Sequence, residues 1–461
     1  MEYSPSASKP EFFLIAVLSQ CYTDFEHIRC VHPGSWCHVH MTHSGFELSQ
    51  KIYWEPRRKK IRLKDDEAYR TQMRQLITDA VHRRCDAVPG LLGGELSGGL
   101  DSSIIDILVN RYGRKAVFYS WSADPDRFPL QKGEDERKVV LDICEQENIS
   151  CKFMHVEEQV NSAYLLSHVM PPYVTTLQLT YGSRWMHSQG ARAVFTGHGG
   201  DEGVSHRPSR FEMLYNGEVR AYFRLYWDDL EGRKLRGLRT LRAGLTDAVR
   251  KWGTLRARPP IGMLYPSVFR REFCDDMIAR LQAKPLMFNT APHLHVRRGA
   301  LRPRLDNCAY QGAASGIRYL FPFVDYRVLD FALSIPRRLY LRKNRNRLIF
   351  REAFDDLMPE SLRNVFYKDL ASFRDTDPSR QVNISFHNRV ERLLERLDEE
   401  QWKEVLDFEG LKALLDNEIT NKDEAANWNL LLGKLEISVM IQNVQQQAKR
   451  WREFDAENKI L

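Results

Sequence analysis

From Leu91 to Thr196 the chain alternates short apolar runs with longer amphipathic stretches, and this alternation narrows its possible folds more than any other feature. Leu91 to Leu96, Ala116 to Trp121, Cys151 to Val156 and Ala193 to Thr196 read as short buried strands. Between them, residues 102–112 carry Ile104, Ile105, Ile107 and Leu108 in a helical rhythm, residues 135–148 do the same with Val139, Val140, Ile143 and Cys144, and a further helical stretch ends near Gln189-Gly190. Strands alternating with helices at this spacing predict an α/β fold with a doubly wound parallel sheet. With 461 residues, 43% of them hydrophobic, the chain can bury a large core, and wholesale disorder is excluded.

Two glycine-rich turns interrupt this pattern at strand ends. The first, Ser97-Gly98-Gly99-Leu100-Asp101-Ser102-Ser103, follows a strand and opens a helix. Its glycines let the backbone approach an anion, the helix start near Ser102 offers N–H groups and positive dipole to a phosphate, and Ser97 and Ser102 add hydroxyls. Asp101 would repel a bare phosphate, so its presence predicts a bridging Mg²⁺. The Gly-Lys-Ser/Thr ending of a P-loop NTPase and the spacing of GxGxxG are both missing. The second turn, Thr196-Gly197-His198-Gly199-Gly200-Asp201-Glu202, also follows a strand, and ligand sites of open α/β sheets gather at strand carboxyl ends. Asp201 is then the second Mg²⁺ ligand, against the plainer alternative of a helix N-cap.

Two further blocks complete a pattern: Gly316-Ile317-Arg318-Tyr319-Leu320-Phe321-Pro322-Phe323-Val324-Asp325, running on through Phe331-Ala332-Leu333-Ser334-Ile335-Pro336, and Met358-Pro359 to Tyr367-Lys368 with Ala371-Ser372-Phe373. With the two turns, over about residues 50–380, the chain resembles the ATP-dependent amide-forming synthetases: the asparagine synthetase domain, β-lactam synthetases and lasso peptide cyclases. The resemblance implies a sheet of the pyrophosphatase-loop (adenine nucleotide α-hydrolase-like) type. It implies attack of a substrate carboxylate on the α-phosphate of ATP, giving an acyl-adenylate and pyrophosphate, followed by displacement of AMP by an amine. It assigns ATP binding to Ser97, Gly98, Gly99, Asp101 and Ser102 at the phosphates, to Leu96, Thr196 and Gly197 near the adenosine, and to Ser120; Mg²⁺ to Asp101 and Asp201; and charge stabilisation to Lys368. His198 stands where asparagine synthetases have a glutamate and β-lactam synthetases a tyrosine that assists the nucleophile. An imidazole is suited to taking a proton from an amine near neutral pH, whereas the plainer alternative is a surface histidine in a turn.

The departures from that family direct the choice of substrate. Asparagine synthetases read Gly-x-Glu-x-Arg-x-Pro-Phe in the third block, with the arginine on the aspartate substrate; here Arg318 replaces the glutamate and Leu320 the arginine. A leucine forms no charge-assisted pair with a carboxylate. Between the second turn and this block lies a basic, mostly helical insertion at about 206–300, read as a solvated helical face or as a docking surface for an acidic peptide. Residues 1–55 read as short extended pieces, similar to the last strands of the family's glutaminase domain. Its nucleophilic cysteine would follow the initiator Met, where this chain has Glu2, so glutamine hydrolysis is not expected. On the same resemblance, residues 56–461 are expected to form the synthetase domain.

The remaining features are bland. A net charge of +7 is too diffuse to argue for nucleic acid. The apolar run Phe12 to Leu18 is too short to span a bilayer and lacks the flanks of a signal peptide, which predicts a cytoplasmic chain without membrane attachment. Eight cysteines without CxxC pairs, and the irregular Cys21, His27, Cys30, His32, Cys37, His38, His40, His43 cluster, support neither a disulfide framework nor a metal site. The expected activity is macrolactam formation on a peptide or joining of a small carboxylate to an amine, with a leader peptide or protease as partner. The alternatives are ammonia-dependent asparagine synthesis and a non-catalytic nucleotide- or peptide-binding scaffold.

Overall fold

The structure is a computed structural model that describes residues 31–43, 45–56, 60–130, 135–154, 177–208, 210–231, 235–255, 270, 272, 301–342, 345–364 and 390–415, with positions 435, 438, 439, 442, 446, 449 and 450 beyond them. An antiparallel hairpin, β1 (Ser35–Thr42) and β2 (Gly45–Ile52), comes first, in the region expected to be extended. A five-stranded parallel sheet follows, made of β3 (Leu91–Glu95), β4 (Ala116–Ala123), β5 (Cys151–Met154), β6 (Ala191–Phe195) and β7 (Arg318–Leu320). Its order is β5-β4-β3-β6-β7, so the chain winds outward one way from β3 and then returns to build the other half through β6. The reversal lies between β3 and β6, and the doubly wound prediction holds.

The helices in chain order are α1 (Asp66–Asp86), α2 (Leu100–Arg111), α3 (Glu136–Glu147), α4 (Leu177–Ser188), α5 (Arg210–Tyr215), α6 (Val219–Asp229), α7 (Arg236–Leu255), α8 (Leu301–Ser315), α9 (Tyr326–Ser334) and α10 (Leu348–Ala353), followed by the shorter Glu360–Asn364, Glu399–Trp402 and Phe408–Leu415. In α1 the buried side chains Tyr69, Met73, Ile77, Ala80 and Val81 recur at helical spacing. Its start is fixed by Asp65, whose carboxylate accepts from the Ala68 N–H at 2.8 Å, a cap worth about 1 kcal/mol. With α2 and α3 this helix closes one face of the sheet over Leu92, Phe118 and Phe195. Met186 of α4 and Cys308 of α8 close the other over Tyr119, Val194 and Tyr319.

Part of the third sequence block is structural. Asp325 caps α9 by accepting from the Arg327 N–H, and it pairs with the Arg327 and Arg84 guanidinium groups, tying the block to α1. The basic region expected to be helical contains α5, α6 and α7, which pack through Met213, Tyr222 and Leu225. Among the described residues no helix is long and apolar enough to cross a membrane. Lys368, the Ala371-Ser372-Phe373 segment, the apolar run Phe12 to Leu18, and Cys21, His27 and Cys30 lie outside the described residues.

Candidate active site

Both glycine-rich turns leave the carboxyl ends of β3 and β6, the neighbouring strands at which the sheet reverses direction. This is where open α/β sheets leave a crevice for ligands. The first turn folds back on itself through its serines. The Ser97 and Ser102 hydroxyls lie 2.7 Å apart, and the Gly99 N–H donates to Ser97 Oγ at 3.3 Å. Gly98 has φ = 74°, a left-handed conformation that glycine adopts without penalty. Helix α2 begins at Leu100 with Gly99 as its N-cap, two residues before the expected start. The reason is that Ser102 Oγ donates to the Gly99 carbonyl from inside the first turn instead of capping it from outside.

The second turn presses directly on the first. A Cβ on Gly197 would sit 2.5 Å from the Ser102 backbone nitrogen, so no larger residue fits there. After Gly199 the chain makes one π-helical turn, Gly200–Val204. Glu202 anchors that turn by accepting from the Gly199 N–H at 3.2 Å, and its other oxygen pairs with Arg304 at 2.7 Å. The third block joins through the Thr196 N–H, which donates to the Leu320 carbonyl at 3.2 Å.

The aspartates converge, and an arginine absent from the sequence motifs joins them. Arg347 Nη1 lies 2.8 Å from Asp101 Oδ2, and its Nη2 contacts Asp201 Oδ1. Asp101 also accepts from the Ser205 hydroxyl. Arg347 is only 6% exposed and has φ = 59°, a costly conformation for a residue other than glycine. Asp101 and Asp201 therefore lie within one guanidinium's span of each other and present hard oxygens from two turns. Among the described residues no group of three or more His, Cys, Asp or Glu could hold a metal. Mg²⁺ usually takes only one or two carboxylates and completes its shell with water and phosphate, so this pair fits it.

A cleft opens over the turns, lined by Ser97, Gly99, Asp101, Ser102, Thr196, Gly197, His198 and Asp201 of the expected set. His198 is half-buried there. Leu96, Gly98 and Ser120 of that set are not part of the lining. Leu96 is a core residue whose N–H pairs with the Tyr119 carbonyl, and the buried Ser120 hydroxyl accepts from the Ser122 N–H. Leu320 is also buried in the core, whereas Arg318 is exposed. The cleft adds residues that sequence reasoning missed: Glu95, Trp121, Glu136, Arg207, Arg304, Arg347 and Arg351. Burial and the neighbouring Arg347, Arg345 and Arg207 push the Arg351 guanidinium down to about 10, the mark of a crowded positive field that favours an anion.

Two acids are buried beneath the cleft. Burial pushes the Glu95 carboxyl up to about 7, against the pull of the Tyr319 and Thr196 hydroxyls. Asp106 on α2 is raised well above the ordinary range by burial and by Glu95, and neither of its oxygens has a hydrogen-bond partner among the described residues. A raised carboxyl favours the fold while protonated and costs stability as pH climbs from the unfolded value through the folded one. Asp106→Asn should therefore gain stability relative to the natural chain as pH rises from 4 to 8. Urea unfolding at both ends of that range tests this, and an unchanged difference would contradict it.

A model of the asparagine synthase family matches residues 72–446. A search of curated proteins found no match. Similar solved structures include the NMN synthetase of Francisella tularensis, with 15% identity over 33% of this chain and 58% of that one and a TM-score of 0.20. This chain thus spans less than two thirds of that relative. Others are the U34-tRNA thiolase of Methanococcus maripaludis, with 9% identity over 77% of this chain and 82% of that one (TM-score 0.27), and the NH3-dependent NAD synthetase of Campylobacter jejuni, with 15% identity over 48% of this chain and 93% of that one (TM-score 0.22).

Proposed function

Because the chain belongs to the asparagine synthase family, we propose that it is an ATP-dependent amide ligase that adenylates a carboxylate, releases pyrophosphate and joins the acyl group to an amine. One observation carries this reading: two acid-bearing glycine turns meet at the reversal point of the sheet, with their carboxylates on one guanidinium. Mg²⁺, when bound, neutralises phosphate oxygens. The backbone of the first turn and the Ser97 and Ser102 hydroxyls hold the phosphates, while Arg207, Arg347 and Arg351 supply positive charge toward a departing pyrophosphate. The turns position the reacting groups, and His198 accepts the amine's proton on a ring nitrogen. Lys368 adds charge stabilisation in the family pattern.

The acyl donor is a peptide side-chain carboxylate, and the product a macrolactam, as in lasso peptide cyclases. Leu320 favours this over free aspartate, because a core leucine stands at the position where asparagine synthetases hold the aspartate substrate with an arginine. A leader peptide or protease would act as partner. The test is incubation with ATP and Mg²⁺ plus either acidic peptides or aspartate with ammonia, followed by AMP and product mass. AMP together with loss of one water from a peptide supports macrolactam formation. AMP with asparagine moves the assignment to asparagine synthesis. Nucleotide binding without any AMP leaves a scaffold.

A further inference from the structure

The basic insertion holds a helix whose leucines face outward. In α7, Leu238, Leu241, Leu245 and Val249 recur at spacings that keep them on one side, and they are 68%, 51%, 58% and 73% exposed. The side packed on α6 is instead small and polar. Thr240 is buried, the Gly244 carbonyl accepts from the Tyr222 hydroxyl at 2.7 Å, and a Cβ on Gly244 would sit 2.5 Å from the Phe223 ring. Asp247, the only acid in the α7 sequence, is held on this side, where it accepts from the Tyr226 hydroxyl at 2.8 Å. The helix docks through these groups and leaves its apolar stripe in water.

The charge beside the stripe has one sign. Arg239 and Arg242 are exposed along its edge, and neither has an ion pair among the described residues. Trp227 of α6, 41% exposed, lies beside the first turn of α7 with the Arg236 guanidinium 4.4 Å over its ring. Contiguous apolar surface rimmed by arginine marks an interaction site, which decides against a merely solvated face. A second copy would bring arginines against arginines with Asp247 turned away, so the occupant must be anionic. At 51–73% exposure the stripe is a ridge, not the wall of a groove. A protein partner would need a groove cut to that ridge, whereas the interface of a bilayer closes around any profile. Leucine and valine suit the edge of the acyl chains, tryptophan the headgroup level, and arginine the phosphates.

We propose that α7 docks the protein on an anionic phospholipid surface, with Leu238, Leu241, Leu245 and Val249 entering below the headgroups and Arg239 and Arg242 pairing with lipid phosphates. A helix lying along a surface is exempt from the length that spanning requires, so the expectation of a chain without membrane attachment, drawn from spanning length and the lack of a signal peptide, does not reach α7. The proposal stands apart from the ligase reading, because neither the cleft nor its chemistry enters it.

Flotation of the full chain with lipid vesicles tests this. The protein should float with phosphatidylcholine vesicles containing about one third phosphatidylglycerol, bind pure phosphatidylcholine roughly tenfold or more weakly, and come off the anionic vesicles as NaCl is raised. Leu241→Ser combined with Leu245→Ser should weaken binding by about tenfold or more through lost apolar insertion. Arg239→Gln combined with Arg242→Gln should weaken it by a similar factor, about fivefold for each arginine near the surface. All four side chains are exposed, so both variants should melt like the natural chain. Absence of vesicle binding, equal binding to neutral and anionic vesicles, or natural affinity in either variant would each overturn the proposal. Capture of a synthetic Leu/Glu amphipathic peptide with the vesicles left unbound would overturn it in favour of an acidic protein partner. A dimer in sedimentation velocity that the leucine variant dissolves would overturn it in favour of a second copy.

Discussion

Arg347→Met should destabilise the protein in magnesium-free buffer, and added Mg²⁺ should restore a large part of the loss. The guanidinium lies between two carboxylates, and Asp101 is mostly buried. Removing one member of a buried ion pair costs about 3–5 kcal/mol, because the other charge remains desolvated and unpaired. Asp201 is 44% exposed and can be screened by water, so we expect roughly 2–3 kcal/mol here. Methionine keeps the apolar stem and removes the guanidinium with its charge. A divalent cation binding between the carboxylates should then stabilise the variant far more than the natural chain, in which Arg347 already supplies the counter-charge. Melting temperature against MgCl2 concentration, compared with NaCl at equal ionic strength, tests this. An identical magnesium response in both proteins would mean that Asp101 and Asp201 do not share an ion.

Arg347 also marks the limit of what the sequence could reveal. The turns were legible because their information is local: a strand, glycines that allow close approach, an acid, and an amphipathic helix within one short stretch. The parallel sheet was legible because its buried strands and covering helices follow different hydrophobic rhythms. Arg347 comes from a segment 246 residues after Asp101 and belongs to none of the quoted blocks. Only its backbone conformation, visible in three dimensions, sets it apart. Glu95 had a fainter signal. It is the one charged residue in the run Leu91 to Leu96, immediately before a phosphate-type turn, and a charge in a buried strand needs a reason. Leu96 and Ser120 adjoin the motifs, and the structure places both side chains in the interior, outside the cleft lining.

Asp101→Asn should reduce AMP formation by about 10²–10³-fold, the range seen when one preorganised electrostatic group is removed from an active site. Asparagine preserves the shape and an acceptor for the Ser205 hydroxyl, and Arg347 keeps Asp201 as a partner, so the fold should survive. What disappears is one negative charge and one oxygen for the metal. The variant should therefore still bind nucleotide in the absence of Mg²⁺ but lose the magnesium-dependent gain in affinity. A magnesium titration provides the sharper measurement. If the aspartate matters only as Arg347's structural partner, Asp101→Asn should need no more Mg²⁺ than the natural chain for half-maximal pyrophosphate exchange. If it holds the metal, the variant should need far more Mg²⁺ however well it folds, and exchange rates measured against MgCl2 concentration on both proteins tell the two roles apart.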